Sequence, residues 1–150
     1  MTEQDQPKPK RPEEEGFTLV ELMVAIVILG LLTTIVVINV LPSQDRAMVA
    51  KAKADIATIE QGLEMYRLNM LAYPSAADGL QALVRPPASM PATARYQPGG
   101  YLKKLPNDPW GRPYQYSVPG RSGAFDVYSF GADGVPGGDG DNADIGSWEG

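Results

Sequence analysis

From Phe17 to Leu41 the chain reads FTLVELMVAIVILGLLTTIVVINVL, 25 residues with a single ionisable side chain, Glu21. As an α-helix this run is about 37 Å long at about 1.5 Å per residue, enough to cross a bilayer. A chain of 150 residues holds one modest domain, too little protein to cover such a helix on every side. The run is therefore read as a membrane segment. It is too long for the apolar core of a cleaved secretory signal, and Asn39-Val40-Leu41-Pro42-Ser43 is no small-residue cleavage site. Basic residues do not orient it: Lys8, Lys10 and Arg11 precede it, while Arg46, Lys51 and Lys53 follow.

Composition narrows the chemistry. The chain has no His and no Cys, which removes Cys nucleophiles, Ser-His-Asp triads, zinc sites and disulfides. Its formal net charge is −5, and no basic cluster lies outside the first residues, so nucleic acid is a poor partner. Any bound ion has to be a hard cation that accepts oxygen ligands.

Residues 1–16 are polar, with Pro7, Pro9 and Pro12 opposing a helix. Beyond Pro42 the pattern turns amphipathic. Val49, Ala52, Ile56, Ile59, Leu63, Tyr66 and Met70 fall on one helical stripe, with Lys51, Asp55, Glu60, Glu64 and Arg67 off it. One long helix over about 17–71 is expected, kinked at Pro42 if anywhere. The stripe is too short for a convincing coiled coil and is assigned to packing against the rest of the chain. Residues 72–150 carry 13 of the 16 glycines and 10 of the 14 prolines, so loops and short strands are expected there. Asp78–Val84 reads as a short helix ended by Pro86-Pro87. Pro113–Val118 and Phe125–Phe130 alternate at period two around a hairpin connection, Pro119–Gly123, and Gly100-Tyr101-Leu102 is a candidate third strand. The fold class is α+β: a long N-terminal helix, first transmembrane and then amphipathic, packed on a small antiparallel β-sheet with a Gly/Asp-rich C-terminal loop.

Two features carry chemistry. Glu21 lies four residues into the apolar run, where a carboxylate costs about 3 kcal/mol in mid-bilayer by insertion scales, more by simulation, and less near the interface. Either it rests at headgroup depth, or it awaits a cation. A chain cut before Phe17 would supply one as a new α-amino group, which in an assembly could meet the Glu of a neighbour. The second feature is the tail. After Arg121 there is no Lys or Arg, yet Asp126, Asp133, Asp139, Asp141, Asp144 and Glu149 follow. A compact loop of such acids repels itself unless a cation neutralises it. Ile145 and Trp148 give the segment something to bury, so a folded loop is expected. It is no EF-hand: Ala143 stands at a ligand position and the closing Glu is missing. Gly137-Gly138-Asp139-Gly140 is similar to a calcium nonapeptide, in one copy. Spacing alone leaves a solvated tail and a calcium loop both open.

Gly16-Phe17-Thr18-Leu19-Val20-Glu21, followed by the apolar run, resembles the class III signal of type IV pilins and pseudopilins. The resemblance implies cleavage by a prepilin peptidase between Gly16 and Phe17, methylation of Phe17, and a role for Glu21 in ordered assembly. It also implies a cytoplasmic leader at 1–16, a transmembrane and assembly helix at 17–41, and a periplasmic domain at 42–150. The protein would then be a single-pass inner-membrane protein. Glu13-Glu14-Glu15 departs from the basic residues usual near the cut. Further on, Tyr73-Pro74, Gly79–Leu83, Gly99–Leu102, Leu105–Gly111 and Tyr114–Tyr116 resemble the protein G family of major pseudopilins of type II secretion. Rigidity of the Pro106–Gly111 loop, with Trp110 as its anchor, is read as architecture.

That family carries one structural Ca²⁺ in the C-terminal loop. Transferred by position, Asp133 and Asp144 give side-chain oxygens and Phe130 and Val135 give carbonyls. Asn142 or Asp141 completes the set, with Asn142 preferred. Many members have a Pro near Ile38, absent here. The implied function is a non-enzymatic subunit of a homo-oligomeric periplasmic filament that drives export of folded proteins. Its implied partners are minor pseudopilins and an inner-membrane assembly platform. A type IV pilin is the alternative, though such pilins commonly close this region with a disulfide. A membrane-anchored enzyme and an anchored calcium sensor find less support in these residues.

Overall fold

The computed structural model describes residues 16–149, with the side chains of 37–43 excepted. The boundary between its two compact units falls between Val40 and Leu41. Apart from Gly16, the expected leader lies outside the described residues.

Helix α1 spans Leu19–Met70. It begins two residues later than the hydrophobic pattern suggests because Thr18 caps it. The Thr18 carbonyl accepts the Leu22 N–H at 3.2 Å, and its Oγ1 accepts the Glu21 N–H at 3.2 Å, satisfying a donor the first turn leaves open. Helical backbone continues through Pro42. The side chains at Ile38 and Pro42 lie outside the described set. In the first unit, Leu19–Val36 is long and apolar enough to span a membrane, and none of that window is buried.

In the second unit α1 is one-faced, as its periodicity predicts. Ala52, Ile56, Ile59, Leu63 and Tyr66 are buried, and Val49 and Met70 are partly so. They pack with Leu80, Ala82, Leu83, Tyr114, Val127 and Ile145 into one core. The expected helix after Asp78 is a single 3-10 turn, Gly79–Leu83, which inserts Leu80 and Leu83 into that core. Beside it Tyr66, Tyr96 and Tyr101 meet edge to face or tilted, with centroids 5.2–6.4 Å apart.

The sheet has three antiparallel strands in the order β1-β2-β3: β1 Gln115–Ser117, β2 Asp126–Ser129 and β3 Ile145–Gly146. The register pairs Tyr116 with Val127 and Ser129 with Ile145. The first two strands lie inside the segments chosen from alternation. The third corrects an expectation, because Gly100–Leu102 is not a strand. Gly100 sits at φ +81, and the Tyr101 and Leu102 N–H groups both donate to the single Leu83 carbonyl, at 2.7 and 3.0 Å. A backbone folded onto one acceptor has no extended ladder to offer. The tail supplies the missing strand and then stays attached. Trp148 meets Tyr128 at a tilt of 46° with centroids 5.5 Å apart, Arg121 lies over the Trp148 ring at 4.9 Å, and Glu149 pairs with Lys53 on α1 at 2.9 Å.

Candidate functional site

At the head of α1, Gly16 has nothing within 4 Å of where a side chain would begin, and Phe17 is 76% exposed. The Gly16–Phe17 bond therefore lies open, just before the Thr18 cap. Glu21 occupies the third helical position, where its negative charge faces the positive end of the helix dipole. Thr18-Leu19-Val20-Glu21 is thus a capping sequence as well as part of the processing signal. The sequence signal for this cap is a Thr three residues before a Glu at the head of an apolar run.

The acidic loop is built on a loop that precedes it. Asp108-Pro109-Trp110-Gly111 is a turn closed by the Gly111 N–H on the Asp108 carbonyl at 2.9 Å. The Asp108 carboxylate is the buried centre of this turn. Its Oδ1 accepts the N–H groups of Trp110 and Arg112 at 3.1 and 2.7 Å, and its Oδ2 accepts the Ser129 hydroxyl at 2.7 Å. Trp110, expected as the anchor, is only partly buried, whereas Asp108 is 5% exposed. A carboxylate with fixed donors ties this turn to the end of β2 more specifically than an indole face could.

The turn also aims Arg112 at the acidic loop. Its Nη2 donates to the carbonyls of Gly131 and Ala132 at 3.0 and 2.7 Å. The acidic segment holds no Lys or Arg of its own, as its sequence shows, but a cation from upstream of Arg121 reaches it, through carbonyls and not carboxylates. Asp126 also leaves the set of loop acids, because it is buried in β2 and accepts the Arg121 N–H at 2.8 Å.

Within the loop, the Ala132 N–H donates to the Asp141 carbonyl at 3.0 Å, which brings the two arms together. Asp133 Oδ1 accepts the Val135 N–H at 3.0 Å, and Asp144 Oδ2 accepts the Gly137 N–H at 3.0 Å. Asp144 Oδ1 is buried without a hydrogen-bond partner among the described residues. Asn142 lies in the exposed 3-10 turn Gly140–Asn142, with its carbonyl against Gly138, and Phe130 is half-buried. No three acids among the described residues converge on one point. Asp139 and Asp141 therefore do not join Asp133 and Asp144 in a carboxylate cluster. The available donors are all oxygens, two of them carboxylates on opposite arms of the loop, and a buried carboxylate oxygen lacks a donor. Such a set suits one hard cation completed by carbonyls or an amide.

Comparison with known proteins agrees at every scale. Residues 39–148 match the family described as type II secretion system (T2SS), protein G. Residues 11–37 match the prokaryotic N-terminal methylation motif. The type II secretion system core protein G of Pseudomonas aeruginosa is 51% identical over 140 residues, which cover 93% of this chain and 99% of the relative. That of Vibrio cholerae is 48% identical over 139 residues, covering 93% and 94%. The crystal structure of the major pseudopilin from the type 2 secretion system of enterohaemorrhagic Escherichia coli is similar at a TM-score of 0.64 and 40% identity. That match covers 74% of this chain and 95% of the other. A capped apolar helix that continues into a one-faced domain helix, and a sheet completed by the tail beyond an acidic loop, are thus the features of a major pseudopilin, and the chain belongs to the type II secretion system protein G family.

Proposed function

We propose that this pseudopilin is cut between Gly16 and Phe17 by a prepilin peptidase, methylated at Phe17, and held as a single-pass protein of the inner membrane with residues 42–150 in the periplasm. It polymerises there, on an inner-membrane platform and with minor pseudopilins, into a filament that drives folded proteins outward. The observation that carries this reading is the uncovered apolar helix Leu19–Val36, since only lipid or neighbouring helices can cover such a surface. Glu21 pairs with the new α-amino group of an adjacent subunit inside that apolar layer. The role is mechanical and not catalytic.

The acidic loop holds one Ca²⁺ in this reading, with Asp133, Asp144 and Asn142 giving side-chain oxygens and Phe130 and Val135 giving carbonyls. The buried, unmatched oxygen of Asp144 supports it. Asn142 is preferred to Asp141 because no three acids come together among the described residues. The ion would supply positive charge where the loop has only acids, and so make the compact loop stable.

The mass of the protein isolated from its bacterium tests the processing and assembly reading. Loss of residues 1–16 with gain of one methyl group is expected. A chain that still begins at Met1 defeats it.

A further inference from the structure

We propose that Arg112 is the positioning residue of the 130–144 loop: by clamping the Gly131–Ala132 backbone, it holds the loop in its cation-binding shape and sets its affinity for a divalent cation. The affinity half of this inference rests on the calcium reading above; the clamp itself does not.

Both ends of Arg112 are fixed. Its main chain is locked to Asp108, with the Arg112 N–H on Asp108 Oδ1 at 2.7 Å and the Asp108 N–H on the Arg112 carbonyl at 2.7 Å. Its guanidinium reaches the loop with two nitrogens: Nη2 on Gly131 and Ala132, and Nη1 on Ala132 at 3.4 Å. The loop then folds across the same group. Gly134 sits at φ +71, and a Cβ placed there would lie 2.6 Å from the guanidinium carbon. The backbone on both sides of Asp133 is thus shaped around Arg112, and Asp133 is one of the expected ligands. The carbonyls that Arg112 occupies belong to residues 131 and 132, whereas those assigned to the cation belong to 130 and 135. The guanidinium therefore orders the site without competing for its ligands.

Two effects of opposite sign act on affinity. The positive charge of Arg112 repels a divalent cation, which alone would make its removal tighten binding. The ordering of the loop lowers the conformational cost of binding, which makes its removal weaken binding. Ordering dominates, because two nitrogens of the guanidinium are spent on carbonyls, and the exposed residues Asp139 and Asp141 add negative charge to the loop that offsets its positive charge. A planar fork does this work and an ammonium does not reproduce it.

The test uses the full chain in detergent micelles, with calcium binding followed by titration calorimetry and amide hydrogen exchange of residues 131–144 followed in the calcium-free chain. Arg112→Gln and Arg112→Lys are each expected to bind calcium about tenfold more weakly than the wild type, from the loss of charged hydrogen bonds. Faster exchange confined to the loop is expected in both. Affinity within about twofold of the wild type, or tighter, in variants with native near-ultraviolet circular dichroism overturns the proposal. If Arg112→Gln fails to fold, Arg112→Lys decides by the same criteria. A wild type that binds no calcium defeats the calcium reading and the affinity half of this one together. The exchange comparison then decides the clamp, which unchanged rates in the variants overturn.

Discussion

The Ser129 hydroxyl donates to Asp108 Oδ2 at 2.7 Å, and both side chains are buried. This bond joins the turn before β1 to the last residue of β2, where the acidic loop begins. Ser129 Oγ in turn accepts the Gly131 N–H at 3.3 Å, so one carboxylate organises two loops. Asp108→Ala strands the Trp110 and Arg112 N–H groups as well as the hydroxyl. Buried donors left unmatched cost on the order of 1–3 kcal/mol each, and partial relaxation brings the expected total to about 3 kcal/mol. Ser129→Ala removes one of three donors to Asp108 and leaves the Gly131 N–H without its acceptor, and is expected to cost less, about 1–2 kcal/mol. Thermal unfolding followed by near-ultraviolet circular dichroism checks the order. Equal effects from the two substitutions would deny Asp108 its central place.

The two faces of α1 within the second unit make a sharper comparison. Leu63 is fully buried in the core, whereas Met65, two positions on, is 50% exposed. Leu63→Ala removes packed methyls and leaves a cavity, at an expected cost of about 3 kcal/mol. Met65→Ala is expected to stay within about 0.5 kcal/mol of the wild type. Denaturation midpoints of the two variants check this, and a comparable loss from Met65→Ala would mean that its face is covered.

Helix α1 was legible because its pattern is long: seven apolar positions at helical spacing leave little freedom of interpretation. The hairpin was legible for the matching reason at period two. The third strand was misplaced because Ile145-Gly146 is too short to show alternation, and it pairs only because Ser129 and Tyr128 present a free edge. Asp108 could have been read from its turn, since Asp followed by Pro, with Gly three residues on, favours a closed turn whose side chain accepts the i+2 N–H. The partnership of Arg112 with the loop could not have been. Its acceptors are main-chain carbonyls 19 and 20 residues away, and carbonyls have no sequence signature. Glu21 was legible from the cost of a carboxylate inside an apolar run, whereas the expected loop ligands came through resemblance, because lone acids in a Gly-rich stretch do not declare a ligand.

Alkaline pH should loosen the core through its tyrosines. Burial, reinforced by Tyr66 and Tyr73, pushes the Tyr116 phenol up to about 12 from 10.0, while its hydroxyl donates to the Pro74 carbonyl at 2.9 Å. Burial and the bond it donates to Asp55 raise Tyr114 further. A phenol that holds its proton more tightly folded than unfolded stabilises the fold fully below the unfolded value near 10, and loses that contribution as pH rises towards 12. The melting temperature is therefore expected to fall steeply over that interval, and less steeply in Tyr116→Phe. Parallel curves for the two proteins would remove Tyr116 from the explanation.

Calcium removal has a definite sign in the proposed reading. An ion bound only by the folded loop stabilises it by mass action, by about 2.7 kcal/mol at a concentration one hundred times Kd. A chelator should lower the melting temperature by several degrees, and added calcium should restore it. Asp144→Ala should abolish that response while Asp139→Ala leaves it intact, because Asp144 carries the unmatched buried oxygen. A melting curve indifferent to the chelator would reduce the loop to a hydrogen-bonded tail.

The last prediction concerns Glu21, where two roles can be separated. As the third residue of α1 its carboxylate favours the helix by at most about 1 kcal/mol through the dipole, and the Thr18 hydroxyl caps the same turn independently. Glu21→Ala should therefore leave the helix, membrane insertion and cleavage after Gly16 unchanged. Insertion is not impaired either, since removing a carboxylate near an apolar layer only relieves a desolvation cost. What the variant loses is the only acid within Leu19–Val36, and with it the proposed partner for an incoming α-amino group. Cells producing Glu21→Ala are expected to hold mature, methylated subunits that do not cross-link into ordered multimers through their stems. Normal filaments from this variant would show that Glu21 serves the helix end alone, and would leave register to the packing of apolar side chains.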